Sequence, residues 1–337
     1  IPAVVAPADP ERSLLINASA ERYQEWLALE STWSEFWLEG SEEAPVVLGS
    51  WAGHQRWWRE PQNRTPPAHK GKASASTNPL QQTQWGLQQQ HHLALILHGF
   101  HERLLGEILA QLPPGGGCKG LPEIDLYLTV PEALYEPCIY LLKRAGWPRV
   151  HVFAVANCGR DVAPFLLNAL PAARANQHQY FLKIHTKSSA HLADGTAWGS
   201  HLINSLLAPE FLQQLDKRLA SNCRLGLIAP TGTVLPCSLA LHRNSSHLLS
   251  LCQRHGLAPR AILKSRFIAG TMMAGRMEVL EPLLEHAPLL NAFESEAGQT
   301  DGTLAHAYER WIGIMAEHNG WQIEELKGSA AAVPNFG

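Results

Sequence analysis

At 337 residues the chain is long enough for one large α/β domain or two smaller ones, and 45% hydrophobic with 17% charged residues is an ordinary globular balance. A net charge of −3 offers no basic surface for nucleic acid, and no apolar run reaches the roughly 18–20 residues of a membrane-spanning helix. Beginning on Ile1, with no basic start, apolar middle and small-residue exit of a signal peptide, the chain reads as a domain cut from something longer.

Residues 1–90 differ in composition from the rest. Seven of the 11 tryptophans lie there: Trp26, Trp33, Trp37, Trp51, Trp57, Trp58 and Trp85. Capped by Asn17 or Ser19, a helix is expected over about residues 19–38, with Tyr23, Trp26, Leu27, Trp33, Phe36 and Trp37 on one broad face. The plainer role for that stripe is packing on the main domain; the sharper one is contact with a membrane surface or a neighbouring domain. From Pro61 to Gln90 the chain turns Pro-, Ser-, Thr- and Gln-rich and reads as a linker. The expected organisation is therefore a helical extension and linker over 1–90 and a main domain over 91–330.

From His91 strands and helices alternate. LALILHGF (93–100) is a buried-strand run, followed by a helix over Glu102–Leu112 that Pro113 and Pro114 stop. IDLYLTV (124–130), VHVFAVA (150–156) and YFLKIHT (180–186) are three further strands, separated by helices over Pro131–Arg144 and Val162–Leu170. Such alternation predicts right-handed βαβ units and a mostly parallel sheet flanked by helices. Further on come helices near Gly199–Leu207 and residues 211–220, a buried strand LGLIAP (225–230), and a strand, small-residue turn and helix start over 266–284. An acidic loop then enters a helix capped by Thr300 or Asp301.

Six cysteines (118, 138, 158, 223, 237 and 252) without a CxxC pair read as reduced thiols of a cytosolic protein. His98-x-x-His101 has ligand-like spacing but no Cys or carboxylate partner at a diagnostic offset, so it reads as polar turn residues rather than a metal site. No G-x-G-x-x-G follows the first strand, and neither a P-loop nor a G-x-S-x-G elbow occurs.

What remains is polar clusters at strand ends, where open α/β sheets bind ligands. Asn157-Cys-Gly-Arg-Asp161 and His185-Thr-Lys187 are expected to end two neighbouring strands. Arg160 offers a two-pronged donor to a phosphate, Gly159 admits close backbone approach, and Asn157 and Asp161 accept from a base or sugar hydroxyl. His185 and Lys187, on alternate positions, leave the same face and suit a diphosphate leaving group without a metal. Asp301 serves as a helix cap or a catalytic base, with Glu294 and Glu296 as rival bases. His306 and Arg310 share one helix face, while Arg266 and the turn around Gly270 suggest an acceptor-side wall.

At these residues the chain resembles the rhamnan synthesis protein F family of bacterial polysaccharide glycosyltransferases. The segments that carry the resemblance are LALILHGFHERLLGEIL, IDLYLTV, VANCGRDVAPFL, YFLKIHTKSS, LGLIAP, FIAGTMMAGRMEVL and GQTDGTLAHAYER, in order over about residues 91–321. The resemblance implies a GT-A-like, Rossmann-type fold and transfer of a sugar, with rhamnose or another deoxyhexose as candidates, from a nucleoside-diphosphate donor to a glycan or lipid-linked acceptor. It implies donor binding by His98, Asn157, Gly159, Arg160 and Asp161, catalytic roles for His185, Lys187 and Asp301, and supporting roles for Arg266, Gly270, His306 and Arg310. His185-Thr-Lys187 stands where such enzymes keep a metal-binding Asp-x-Asp, so no metal ligand and no cofactor are assigned. The expected location is the cytoplasm, at the inner face of the bacterial membrane if the Trp-rich stripe docks there. The alternative is a catalytically silent glycan- or nucleotide-binding module of a larger assembly enzyme.

Overall fold

The computed structural model describes residues 78–87, 93–112, 123–186 and 195–327, with three short strands before them. These are β1 (Ser13–Ile16), β2 (Glu35–Leu38) and β3 (Val46–Val47), which pair as a small sheet in that order. The helix expected over 19–38 falls mostly outside the described residues, but its last part does not form. Glu35–Leu38 is a strand, parallel to β1. Aromatic residues favour strands, so the same pattern is compatible with either element.

The main fold runs β4 (Gln81–Trp85), β5 (Leu93–His98), α1 (Glu102–Gln111), β6 (Ile124–Pro131), α2 (Glu132–Arg144), β7 (Val150–Val155) and then a composite helix α3. That helix passes from Val162–Pro164 through a π-helical segment, Phe165–Ala169, into Leu170–Ala175. It is followed by β8 (Tyr180–His185), α4 (Gly195–Leu207), α5 (Pro209–Ser221), β9 (Leu225–Ala229), β10 (Val234–Pro236), α6 (Ser245–His255) and α7 (Arg260–Lys264). The chain continues with β11 (Arg266–Ile268), β12 (Met273–Arg276), α8 (Glu281–Glu285), α9 (Leu304–His318) and β13 (Gln322–Glu325).

Eight strands form the central sheet in the order β13-β9-β12-β8-β5-β6-β7-β4. The block β8-β5-β6-β7 is parallel, as the strand–helix alternation predicts, and β12 runs antiparallel between β8 and β9. Edge strand β4 pairs antiparallel with β7, so the sheet begins at Gln81, inside the stretch read as linker. QQTQW lacks the apolar run that reveals a buried strand; its polar residues suit an edge. Strand β12 is a second addition: the turn after β11 leads into a strand before the helix that was expected to follow directly.

The alternation of each strand sorts its side chains onto two cores. Leu93, Leu95 and Leu97 of β5 and Leu182 and Ile184 of β8 pack against α1, α2, α4 and α5. Ala94, Ile96 and Phe181 face the other way, towards α3, α6 and α9. Each fully buried Leu or Ile there contributes roughly 1.5–3 kcal/mol. By the same period of two, His98 leaves β5, and Lys183 and His185 leave β8, on the α3 and α9 side.

Candidate active site

The chain leaves β5 towards β6 and β7 on one side of the sheet and returns as β8 on the other. The gap beyond the carboxyl ends of β5 and β8 is thus a topological switch point, where open α/β sheets bind ligands. His98 and His185 are register partners across it, and Thr129 sits beside His98 on β6. The two polar motifs do not end neighbouring strands: β5 and β6 lie between β7 and β8. They meet because the turn over 156–161, between the end of β7 and the start of α3, carries Asp161 to Lys183 of β8.

Asp161 is the hub. Its Oδ2 accepts from Lys183 Nζ at 2.5 Å and from Thr271 Oγ1 at 2.6 Å, with His185 Nδ1 at 3.4 Å. Lys183 also donates to the Thr271 carbonyl at 2.9 Å and lies over the Phe165 ring. At 2% exposure this lysine has given up its hydration and needs that carboxylate. Burial alone would raise the Asp161 carboxyl, but the charges of His185 and Lys183 and the bonds from Lys183 and Thr271 hold it well below the usual carboxylate range. Oδ1 of Asp161 has no hydrogen bond to a described residue and stays available to a ligand.

Backbone strain is concentrated here. Among the described residues, Arg160 (φ 57°) and Thr271 (φ 51°) are two of three non-glycine positions in the left-handed region. One precedes Asp161 and the other hydrogen-bonds to it. Such conformations persist where surrounding contacts enforce them, commonly at functional sites. Gly159 (φ 67°) completes the turn; a Cβ there would stand 2.5 Å from that of Ala163 and 2.7 Å from the Phe293 ring. The role of this glycine in the turn is therefore close packing against the loop before α9.

Arg160 is held on one nitrogen. NH1 donates to the Gln299 carbonyl at 2.7 Å and to His306 Nε2 at 3.1 Å. A guanidinium only donates, so Nε2 accepts, while Nδ1 lies 2.7 Å from Thr303 Oγ1 and 3.4 Å from the Thr303 backbone nitrogen. Burial, then the Arg160 charge, lowers the His306 pKa and keeps the ring neutral. The Nε and NH2 edge of Arg160 bonds no described residue and presents the paired geometry that phosphate oxygens take.

His98 lies with Nδ1 2.9 Å from Thr129 Oγ1, and burial lowers its pKa to about 4. Thr186 ties β8 to the start of α1: its hydroxyl accepts from the N–H groups of Phe100 and His101 at 2.8 and 3.0 Å. Asn157 is exposed at the end of β7. Lys187 lies outside the described residues.

The acceptor-side set divides. Gly270 (φ 86°) turns the chain into Thr271, and its N–H bonds Glu309. Arg310 is buried, bonded to the Ala240 and His306 carbonyls and to Glu309. Arg266 is elsewhere: it pairs with Glu317 at 2.7 Å, three turns beyond His306 on α9 and roughly 16 Å along the axis. Asp301 accepts from Asn244 Nδ2 at 2.8 Å and the Arg243 N–H at 3.1 Å, with Arg310 at 3.7 Å. The cap of α9 is neither Thr300 nor Asp301 but Thr303, whose hydroxyl accepts from the His306 N–H. Asp301 is drawn off to the 242–244 turn, which leaves the cap position to the next hydroxyl.

Lys183, Thr271 and Thr129 were absent from the sequence-derived set. A lysine inside the apolar run YFLKIHT is itself a signal, since a buried lysine requires a partner. Thr271 carries no local signal.

The sequence profile described as rhamnan synthesis protein F matches residues 73–321. The chain belongs to that family. Membership connects it to polysaccharide synthesis. A curated relative, the protein WxcX of Xanthomonas campestris pv. campestris, is 30% identical over 333 residues, in two strains. That alignment takes in 95% of this chain, most of the Trp-rich start included, but 45% of WxcX; the chain spans under half the length of the curated relatives it matches. Among solved structures, a cytidylyltransferase from Leptospira borgpetersenii serovar Hardjo-bovis aligns at 11% identity and a TM-score of 0.35, over 71% of this chain and 77% of that one. At that likeness no chemistry transfers. No described helix is long and apolar enough to cross a membrane.

Proposed function

We propose that this domain transfers a sugar, with rhamnose or another deoxyhexose the first candidates, from a nucleoside-diphosphate donor to a growing bacterial surface glycan on a GT-A-like fold. The observation that carries the proposal is the convergence of Asp161, Lys183, His185 and His98 at the switch point, beside the uncommitted edge of Arg160. Arg160 takes the diphosphate in a two-pronged contact, joined by His185 and by Lys187 from the segment after β8. Oδ1 of Asp161, fixed and ionised by Lys183, accepts from a hydroxyl or base N–H of the donor, with Asn157 at the rim. The donor set does not suit a divalent metal: Asp161 is already neutralised by the Lys183 ammonium at 2.5 Å, so a cation at Oδ1 would sit beside that positive charge. The diphosphate charge is met by side chains instead. Family membership supports the polysaccharide acceptor, and the Trp-rich stretch over 19–38 supplies a contact for the membrane or a neighbouring domain.

Calorimetry with UDP, GDP, CDP and dTDP, with and without EDTA, tests the donor site. One of them binds, EDTA leaves its affinity unchanged, and Lys187→Ala weakens it about tenfold or more, as loss of a charge-assisted contact should. Indifference to all four nucleotides sinks the donor reading, and binding that requires Mn²⁺ sinks the metal-free part. Measured sugar transfer separates an enzyme from a silent binding module.

A further inference from the structure

Three carboxylates on the loop between α8 and α9 differ in how far they are committed. Glu294 accepts the Leu304 N–H through Oε2 at 2.9 Å and meets His247 at 3.3 Å through Oε1. Asp301 has both oxygens engaged, by Asn244 with Arg310 nearby and by Arg243. Glu296 spends only Oε1, which accepts the Arg160 N–H at 3.0 Å, and its Oε2 bonds no described residue. Glu296 is half-buried, and the left-handed backbone of Arg160 turns that N–H towards it, one residue before Asp161. Glu294 and Asp301 therefore hold the loop in place, whereas Glu296 reaches from it to the turn that carries the donor site.

We infer that Glu296 is the general base of the transfer reaction, with Asp301 a positioning residue that fixes the loop presenting it. This rests on the glycosyltransferase reading above. In the step, the acceptor oxygen bonds to the anomeric carbon of the donor sugar. The bond from that carbon to the diphosphate oxygen breaks, its electron pair leaving on the nucleoside diphosphate. The acceptor proton moves to Oε2 of Glu296. Two features make the rivals poorer bases. Burial alone would raise both, but hydrogen bonds from His247 and Leu304 lower Glu294, and Asn244 with the Arg310 charge lowers Asp301. A carboxylate so stabilised is ionised but a reluctant proton acceptor. The titratable groups facing Glu296 are Arg160 and the Cys158 thiol, which burial and then Glu296 and Glu294 push up.

The test compares Glu296→Gln and Asp301→Asn in the full chain, with UDP-, GDP- and dTDP-linked hexoses and deoxyhexoses as donors and rhamno-oligosaccharides or water as acceptors. Gln keeps an acceptor for the Arg160 N–H, so the turn survives. Glu296→Gln is expected to lower kcat by about 10²–10⁴, to keep nucleotide affinity within about twofold, and to abolish the fall in kcat on the acid side. Asp301→Asn is expected to lower Tm while kcat stays within about tenfold of wild type. If wild type transfers but Glu296→Gln keeps kcat within about threefold, or Asp301→Asn matches its loss at unchanged Tm, Glu296 is not the base and the donor reading stands. If wild type neither transfers nor hydrolyses any of these donors, both readings fall.

Discussion

Asp125 and Asp161 are both aspartates held by a cation at 2.5 Å, one at the amino ends of the parallel strands and one at their carboxyl ends. Asp125 binds Arg149 and lies 3.6 Å from His178, which reaches Tyr127 and, through its hydroxyl, Asn176. That network is closed. Asp125 is fully buried, the Tyr127 phenol is raised by burial, and its members join β6, β7 and the turn before β8. Asp161 has the same kind of bond, but its side chain is 13% exposed and strained backbone lies on two sides of it. Ion pairing by itself therefore does not mark a site. What separates the two is an open acceptor at a strand end, where the topology leaves a crevice.

That contrast can be broken most directly by Asp161→Asn against Asp125→Asn. Asp161→Asn leaves the deeply buried Lys183 without its counter-charge, at a cost of about 3–5 kcal/mol, whereas Asp125→Asn leaves Arg149 still paired with Glu123 at 3.2 Å and costs less. Denaturant unfolding should rank them so. Asp161→Asn should also weaken nucleotide-sugar affinity at least tenfold, with Asp125→Asn within about twofold of wild type. Equal losses of affinity would erase the distinction.

A smaller effect comes from His98. Its folded pKa of about 4 lies below the unfolded value, so the unfolded chain takes up a proton that the folded chain refuses. Stability is then complete above about pH 6.5 and declines as pH falls towards 4, by roughly 2 kcal/mol at pH 5 from this group. His98→Gln should lose that much less between pH 7 and pH 5. An unchanged pH slope would place the ring's proton elsewhere.

The smallest change is Thr303→Ala, which removes the cap of α9 for about 1 kcal/mol. It also removes the hydroxyl 2.7 Å from His306 Nδ1 and should loosen Arg160. A loss of nucleotide affinity beyond the stability change would show that the α9 cap and the donor site are coupled; no change in either would detach them.

Strands β5 to β8 were legible because each is a short, mainly apolar segment between turn signals, and such segments persist whatever their neighbours. The strand-end motifs were legible for the same reason, since a polar cluster directly after a buried run must emerge at an edge. β4 and the altered end of the aromatic stripe were not, because polar edges and aromatic pairs fit more than one local structure. Sequence alone determined that Asn157, Arg160, Asp161 and His185 stand at carboxyl ends of strands, since pattern and punctuation are local properties. Only the tertiary structure decided that β8 lies beside β5, that Asp161 meets Lys183 and Thr271, and that Glu296 reaches Arg160 while Asp301 is tied to Asn244. Those contacts join residues far apart in the chain, and their partners are set by how helices cross a sheet whose strand order no local pattern encodes.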